Sequence, residues 1–359
     1  MAALLVAVFH FEMAICRFVP ASATLFFERS YLMVDLFFVM SGFIMLHVYG
    51  ESFGRTLQKD PWRKFFVARF ARTYPLHLFT LLLLVLIVRY LVPGWGHPPI
   101  RLEQPRDILP NVFLLQSFGV CTIYNWNIPS WSISAEWGAY LLFPFLALWI
   151  SRSGKMAAGL LALFVVAAYG CIMYVLPRIN PLNPAIPVPH NLNTTFDYGY
   201  LRGIAGFIIG MLVYRLYHHQ YTARILGKDT ASAVILLLTI AALHFGINDA
   251  LIVLLFAALV LTTAANSGRL HRLCNHRILQ WLGNISYSIY LMQIFLQEPF
   301  SHGIRLPGVT GTVRGKFNID FPHGLGYCAI YLLLLVALST LTYYGIEKPC
   351  RKFINRHWG

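Results

Sequence analysis

Hydrophobic residues recur along this chain in long runs, and short polar segments separate the runs. Several runs exceed about 18 residues without a charge, which is the length that crosses the hydrocarbon core of a bilayer as a helix. We therefore predict an all-α integral membrane protein that forms a single transmembrane domain over residues 1–359. Its ten predicted transmembrane helices cover residues 1–18, 31–50, 73–92, 131–150, 156–177, 199–217, 231–247, 249–265, 280–298 and 326–345.

The break between the seventh and eighth of these helices depends on only a few residues. The apolar stretch that contains both is too long for one crossing. Gly246 and the Asn248-Asp249 pair interrupt it, and such residues favour a turn. We therefore predict two helices joined by a short turn.

Basic residues in the connecting segments set the predicted orientation. One alternating set of segments holds 18 of the 28 lysines and arginines, and the rest of the chain holds 10. An excess of basic residues is typical of the cytoplasmic side, so this set is predicted to be cytoplasmic together with both termini. The set comprises residues 51–72, 151–155, 214–229, 266–277 and 346–359.

Three longer segments fall on the opposite face. They are rich in Pro, Gly and Asn, and they cover residues 93–130, 178–198 and 299–325. Surface segments of this length often bind something, so we expect them to contribute to function.

The overall composition agrees with a membrane protein and excludes several other classes. Only 12% of residues are charged and 58% are apolar, whereas a soluble domain carries roughly 25% charged residues. The net charge of +14 lies between apolar runs and not on one face of a compact domain, so we predict membrane lipids and no nucleic acid as partners. The six cysteines include no CxxC pair, which predicts neither a metal site nor a disulfide framework.

Three ionisable residues fall inside predicted spans, where a charge is costly and therefore indicates function. They are His10, Asp35 and Glu136. A carboxylate on one imidazole nitrogen fixes the tautomer, and the other nitrogen can then take a proton from a hydroxyl. The three are therefore candidate catalytic residues that form a general base. The alternative is that each is a packing residue satisfied by a neighbouring helix.

A basic segment at residues 59–79 leads into the third predicted span. Asp60 is a candidate N-cap, and Pro61 suits the first helical position. Pro75 is predicted to kink the helix at the membrane entry.

Three arginines of this segment are candidate phosphate ligands. Arg69 and Arg72 are three residues apart and share a helix face, and Arg63 lies two turns earlier, near the same stripe. Arginine binds phosphates bidentately, which suits a nucleotide cofactor. The alternative is an ordinary cytoplasmic anchor that touches lipid headgroups.

Two further patterns lie in the second half of the chain. Gly206 and Gly210 form a GxxxG pair, which predicts close helix packing, and Arg202 is either a membrane anchor or a substrate contact. His244 and Asp249 have the HxxxxD spacing of soluble-faced glycerolipid acyltransferases. The chain has 13 histidines and 14 acidic residues, so we interpret this match as chance.

Six segments together resemble the acyltransferase family 3 membrane enzymes, which O-acylate cell-surface and exported carbohydrates in bacteria. The resemblance extends from the first residue to about Arg356, with the segments in the family's order. The segments are LLVAVFHF, VDLFFVMSGFIM, FVARFARTYPLHL, SWSISAEWGAYLLFP, LGNISYSIYLMQ and YYGIEKPCRKF.

This resemblance implies an acyl-CoA donor, usually acetyl-CoA, that enters from the cytoplasm and is not permanently bound. It also implies a hydroxyl of a lipid-linked or exported polysaccharide as acceptor, and a multi-pass location in a bacterial inner membrane. His10 is implied as the catalytic base, and Arg69 and Arg72 are implied to bind the donor's phosphates or to maintain activity. Asp35 and Glu136 match family positions without a settled role.

The sequence departs from the family at two points. Members usually carry an arginine about ten residues before the histidine, a position that here precedes Met1, so we expect a truncated or upstream start. Many members have a histidine where this chain has Gln293, so no role transfers to that position.

The rival interpretation is a transporter or flippase of a lipid-linked sugar. It also accounts for intramembrane charges and long outer loops, but it predicts no thioester cleavage. Such proteins often carry inverted repeats with broken helices, and the sequence has none. Release of CoA distinguishes the two functions.

Overall fold

The structure is a computed structural model. It describes residues 1–91, 105–121, 123, 126–179, 191–219, 222–302, 309–313 and 316–359. The outer segments predicted at 93–130, 178–198 and 299–325 lie partly outside the described residues.

Within these ranges the fold is predominantly helical, as predicted. The helices are α1 (Ala2–Ala14), α2 (Phe26–Arg29), α3 (Met33–Phe53), α4 (Lys59–Leu86), α5 (Ile108–Val112), α6 (Trp131–Gly170), α7 (Leu176–Ile179), α8 (Gly199–Tyr217), α9 (Thr222–Leu226), α10 (Asp229–Phe245), α11 (Asp249–Ala265), α12 (Arg269–Cys274), α13 (Arg277–Asn284), α14 (Ser286–His302), α15 (Phe321–Thr342) and α16 (Lys348–Trp358). Turns of π-helix follow α4, α6 and α15 at Ile87–Leu91, Cys171–Val175 and Tyr343–Glu347.

Several of these helices have the length and apolar composition to cross a membrane, so the chain is a membrane protein. In the described part of the chain, five helical stretches meet both criteria: Phe26–Phe53, Lys59–Tyr90, Ile128–Arg178, Gly199–Tyr217 and Phe321–Trp358. Shorter apolar helices are Ala2–Ala14, Asp229–Phe245 and Asp249–Ala265.

Two of the predicted breaks between spans have clear backbone causes. Gly154 interrupts α6 with φ of 52° and ψ of −117°, a conformation that glycine adopts easily, and the predicted spans 131–150 and 156–177 lie on either side of it. Gly246 ends α10 in the left-handed region, and the Asn248 side chain caps α11 by accepting from the backbone N–H of Ala250. The predicted turn between α10 and α11 is therefore confirmed.

The first helix is shorter than predicted. It ends at Ala14 and not at residue 18, because the next residues pair with a distant part of the chain. Strand β1 (Cys16–Arg17) is parallel to β3 (Lys316–Ile319), and β3 is antiparallel to β2 (Val309–Val313). This small sheet adds a non-helical element to the predicted fold.

The start of α4 differs from the prediction. Gln58, in an extended conformation, is the N-cap, and no side chain caps the helix. Asp60 therefore lies inside the first turn, and the prediction that it is the N-cap was wrong. The helix continues through Pro75 to Leu86, so the basic segment and the third predicted span belong to one helix.

The buried apolar residues form two clusters. The larger cluster joins α3, α6, α8 and α11, and the smaller one joins α1, α14 and α15. Helices α1 and α14 contribute residues to both clusters, Val6 and Leu291 to the larger and Ala7 and Ile289 to the smaller. These two helices therefore lie where the clusters meet.

Helices α3 and α8 approach each other closely through glycine. A Cβ atom added at Gly42 would lie 1.8 Å from the carbonyl oxygen of Phe207, and one added at Gly210 would lie 2.0 Å from that of Val39. Both obstacles are backbone atoms, which cannot rotate away. The close packing predicted from the Gly206-Gly210 pair is confirmed, and Gly42 is its partner on the opposite helix.

We expect Gly210→Ala to destabilise the protein, because the methyl group forces α3 and α8 apart. Over-packing costs about 1–3 kcal/mol even where side chains adjust, so the apparent melting temperature should fall by about 5 °C or more. The measurement is thermal unfolding of the detergent-purified protein followed by size-exclusion chromatography.

The matched control is Gly159→Ala in α6, where an added Cβ meets no atom within 4 Å. Its melting temperature should stay near that of the wild type. Equal effects of the two substitutions would contradict the close α3–α8 contact.

Candidate active site

A cavity of about 350 Å³ lies between α3, α4, α6 and the α13–α14 region. Most of its wall surface is apolar, and polar and charged side chains also converge on it, which is typical of a ligand site. The polar and charged lining residues are Ser41, Arg69, Arg72, Thr73, Ser132, Glu136, Tyr140, Ser286, Tyr287 and Tyr290. The structure thus brings together Arg69, Arg72 and Glu136 of the predicted site.

The cavity is elongated along α3. Its lining on this helix runs from Val34 to Met45, which at 1.5 Å per residue is about 16 Å. Arg69 lies toward the Tyr49 end of α3, since its guanidinium carbon is 5.7 Å from the centre of the Tyr49 ring. The first turn of α6 marks the other end, because Trp131 contacts Phe38 edge to face. One end is therefore basic, and the other end carries hydroxyl groups.

Glu136 presents one carboxylate oxygen to two neighbouring hydroxyls. Its Oε1 accepts hydrogen bonds from Ser41 Oγ at 2.7 Å and from Tyr140 Oη at 2.6 Å. Tyr140 lies one helical turn after Glu136, and Ser41 reaches it from α3. Two donors on one oxygen hold the carboxylate in a fixed orientation at the cavity wall.

Arg69 faces the cavity without a carboxylate partner in the described ranges of the chain. Its guanidinium lies over the rings of Tyr49 and Tyr140, with its carbon 5.7 and 5.8 Å from their centres. Its Nε is buried and makes no hydrogen bond with the residues that the structure describes. A cation held by aromatic faces keeps its charge available to an anion.

Arg72 has a different environment, although it is on the same wall. Its Nη1 donates to Oε1 of Glu347, a carboxylate that is only 1% exposed. The other oxygen of Glu347 accepts from Ser288 Oγ at 2.8 Å. The guanidinium of Arg72 also lies over the Tyr287 ring, 5.6 Å from its centre. The third predicted arginine, Arg63, is exposed and does not line the cavity.

His10 lies on the inward face of α1. Residues three, four and seven positions before it are Ala7, Val6 and Ala3, and each is at most 2% exposed. The imidazole itself is half-buried. It does not line the cavity described above, and no hydrogen bond joins it to Asp35 or Glu136.

The position of α1 relates His10 to the cavity. Helix α1 packs against α14 and α3, which both contribute to the cavity walls. The Phe9 ring contacts that of Tyr31, with centroids 5.9 Å apart, and Tyr31 lies one turn before Val34. His10 is therefore adjacent to the Val34 end of the cavity, away from Arg69.

Asp35 forms a closed ion pair with Arg202. Its Oδ1 accepts from Nε of Arg202 at 2.9 Å and its Oδ2 from Nη2 at 2.6 Å. Both residues are at most 1% exposed, and the guanidinium also lies over the Trp131 ring. Arg202 is thus neither an anchor at the membrane surface nor a residue open to substrate, which corrects both readings of it from the sequence. The catalytic role of Asp35 stays a prediction.

A second ion pair lies beside the first. Asp249 accepts from Arg29 Nη1 at 2.6 Å, from the Tyr31 hydroxyl and from the backbone N–H of Leu192 at 2.8 Å. His244 instead pairs with the hydroxyl of Thr24, at 2.9 Å from its Nδ1. The two members of the HxxxxD match therefore bind different partners, which agrees with a chance match.

Comparison with known proteins decides the family. The profile of a family described as an acyltransferase domain matches residues 1–344. The chain belongs to acyltransferase family 3. It is 26% identical to "Acyltransferase MdmB" of Streptomyces mycarofaciens over 90% of this chain and 81% of that protein. It is also 34% identical to "Protein 2 in picA locus" of Rhizobium radiobacter over 31% of this chain and 67% of that protein. No solved structure matches this chain.

Two lining or wall residues of this acyltransferase were missed from the sequence. Tyr140 was within reach of a spacing argument, because it follows Glu136 by four residues on one helix. Glu347 was overlooked because the last predicted span ended at residue 345, whereas the π-helical turn extends through Glu347. Acyl transfer also needs a donor to the oxyanion, for which the sequence offers Ser41, Ser132 and Ser134 as candidates, and Ser41 and Ser132 line the cavity. Ser134 is fully buried and donates to the carbonyl oxygen of Leu114.

One further side chain is at a position where the sequence departs from the family. Gln293 is fully buried, and neither polar atom of its amide has a hydrogen-bond partner in the part of the chain that the structure describes. No cluster of three or more His, Cys, Asp or Glu side chains suited to a metal occurs within the described ranges.

The buried Asp35–Arg202 pair of the acyltransferase predicts a rescue experiment. Removing one partner leaves an uncompensated buried charge, which costs about 3–5 kcal/mol, whereas removing both is often close to neutral. We expect Asp35→Leu and Arg202→Met to lower the yield of folded protein sharply. The measurement is the monodisperse fraction in size-exclusion chromatography of detergent extracts.

The double variant Asp35→Leu/Arg202→Met should recover most of that yield. Its acyl transfer then tests the predicted catalytic role of Asp35. A double variant as poorly folded as either single variant would contradict a simple charge pair.

Proposed function

We propose that this acyltransferase moves an acyl group, usually acetyl, from acyl-CoA to a hydroxyl of a lipid-linked or exported polysaccharide. The supporting observation is the elongated cavity, whose lining extends about 16 Å along α3. The Arg69 guanidinium, which has no carboxylate partner among the described residues, is at one end, and the other end carries hydroxyl groups near His10. A cavity of that length suits a thin acyl-pantetheine arm. The family's acyltransferase character supports the reaction class.

The donor enters at the Arg69 end of the cavity. CoA carries several phosphate charges, and a guanidinium without a carboxylate partner attracts them. Arg69 meets this requirement among the described residues. Arg63, which is exposed two turns earlier on α4, is in a position to attract the nucleotide end outside the cavity.

His10 acts as the general base at the other end. One imidazole nitrogen takes the proton of the acceptor hydroxyl, and the oxygen bonds to the thioester carbonyl carbon. The carbon–sulfur bond then breaks, and the CoA thiolate leaves and recovers the proton from the imidazolium. The Ser132 hydroxyl lines the cavity and turns from Tyr290 Oη to donate to the developing oxyanion, whereas the Ser41 hydroxyl stays on Glu136.

Glu136 supplies a fixed negative charge to the same cavity. Its Oε1 is occupied by two hydroxyl donors, and its Oε2 makes no hydrogen bond with the described residues. We propose that Oε2 stabilises positive charge that develops during transfer. Asp35 stabilises the site indirectly, because its buried ion pair with Arg202 holds α3 against α8.

The test compares two histidine variants in membranes supplied with radiolabelled acetyl-CoA and a glycan fraction of the host cells. General-base assistance contributes roughly 10²–10⁴-fold, so His10→Ala should lower label transfer by at least 100-fold. The matched control is His244→Ala, which removes another histidine from an apolar helix. It should retain most of the transfer.

Near-normal transfer by the His10 variant would falsify the assignment of the base. The rival flippase function predicts that the wild type releases no CoA from acetyl-CoA, with or without glycan. CoA release that depends on the glycan supports transfer and excludes the rival.

We further propose that the chain crosses a bacterial inner membrane ten times, with both termini in the cytoplasm. The distribution of basic residues supports this arrangement, and the breaks at Gly154 and Gly246 divide the longest apolar stretches. The arrangement brings the Arg69 end of the cavity toward the cytoplasmic supply of acyl-CoA.

An exposed cysteine makes the orientation testable. Cys274 lies in the segment 266–277, which is proposed to be cytoplasmic. Because Cys350 is also partly exposed in a segment proposed to be cytoplasmic, the test uses a Cys350→Ala background. There a membrane-impermeant maleimide should label Cys274 in inside-out vesicles and not in intact cells, and Cys274→Ala should abolish that labelling.

The opposite face provides the control. Asn193 is exposed in the outer segment, so Asn193→Cys in the Cys274→Ala background should be labelled from outside intact cells. The reverse pattern for either site would overturn the proposed orientation.

A further inference from the structure

The two arginines on the α4 wall of the cavity differ in one respect that decides their roles. Arg72 donates to a buried carboxylate, whereas Arg69 has aromatic faces around it and no carboxylate partner within the described residues. They are only three residues apart and line the same cavity. Their spacing alone therefore predicts the same role for both arginines, but their different partners indicate different roles.

We infer that Glu347 neutralises Arg72 and holds it as a structural element of the cavity wall, so that Arg69 is the arginine that binds the donor's phosphates. This inference rests on the proposed function. It extends the site to the turn between α15 and α16, and it withdraws Arg72 from the phosphate ligands.

Glu347 is committed to Arg72 by burial. Its carboxylate is 1% exposed, with one oxygen on Arg72 and the other on Ser288 Oγ at 2.8 Å. Only Nη1 of Arg72 is bonded to this carboxylate, but the buried negative charge of Glu347 neutralises the guanidinium. A phosphate therefore gains less electrostatic energy from Arg72 than from Arg69, which has no carboxylate partner among the described residues.

The same pair fixes a tyrosine that lines the cavity. The Arg72 guanidinium lies over the Tyr287 ring, and the Tyr287 hydroxyl donates to the backbone carbonyl of Thr73 on α4. Ser288, the second partner of Glu347, is the next residue on α14. Glu347 thus joins α4 to α14 through Arg72 and Ser288.

The Glu347 position also links the site to the C-terminal helix. Glu347 ends the π-helical turn Tyr343–Glu347, and α16 follows immediately and packs against α4. Single π-helical turns often occur at functional sites. Helix α16 is therefore attached to the cavity wall through one carboxylate.

The test measures equilibrium binding of radiolabelled acetyl-CoA to detergent-purified protein and the yield of folded protein. The variants are Arg72→Met, Glu347→Met, the double variant Arg72→Met/Glu347→Met, and Arg69→Met. Each single change within the pair should lower the folded yield, and the double variant should restore it. The double variant should bind acetyl-CoA within about threefold of the wild type, whereas Arg69→Met should weaken binding at least tenfold. A folded double variant that binds as weakly as Arg69→Met would make Arg72 a phosphate ligand and overturn the inference.

Glu347→Gln tests the inference without removing a hydrogen bond. The amide can still pair with Arg72 and Ser288, but Arg72 loses its counter-charge and becomes available to an anion. Acetyl-CoA should then bind at least threefold more tightly, and its affinity should fall more steeply with salt. Unchanged or weaker binding would contradict the inference. If the wild type neither binds acetyl-CoA nor releases CoA, the proposed function itself fails. If the wild type binds acetyl-CoA but the double variant Arg72→Met/Glu347→Met binds it as weakly as Arg69→Met does, only the role of Glu347 is wrong.

Discussion

The cost of an unbalanced charge inside a packed helical bundle determines the arrangement of this site. Neither lipid nor apolar side chains solvate an ion, so each buried carboxylate in the ion pairs described here has a basic partner within reach. Asp35 pairs with Arg202, Asp249 with Arg29, and Glu347 with Arg72. Arg69 differs because π-electron faces surround it, and it borders a cavity that a charged molecule can enter.

Close packing of α3 on α8 gives this arrangement a rigid base. Gly42 and Gly210 let the two backbones touch, and the opposite face of α3 then forms one side of the cavity. The buried ion pair of Asp35 and Arg202 joins the same two helices near their N-terminal ends. Helix α3, which carries Ser41, is thus fixed against α8 both by close backbone packing and by a buried ion pair.

Hydrophobic periodicity and local turn residues made much of the helical plan predictable, whereas boundaries set by contacts distant in the sequence were missed. Gly246 and Asn248 act within their own turn, so the split between α10 and α11 was readable from the sequence. The end of α1 was not, because β3 lies at the far end of the chain. In the site, Arg69 and Glu136 were identified from residue type and motif, but the different partners of Arg69 and Arg72 follow from tertiary contacts that spacing does not encode.

The pairing of β1 with β3 has a consequence for when the site is completed. Cys16 is opposite Phe317, 301 positions later in the chain, and α1 otherwise packs mainly on α14. The helix that carries His10 is synthesised well before its partners α14 and β3. Contacts so distant in sequence form late, because a long loop must close before they are made. A growing chain therefore has no assembled centre until α14 and β3 have been made.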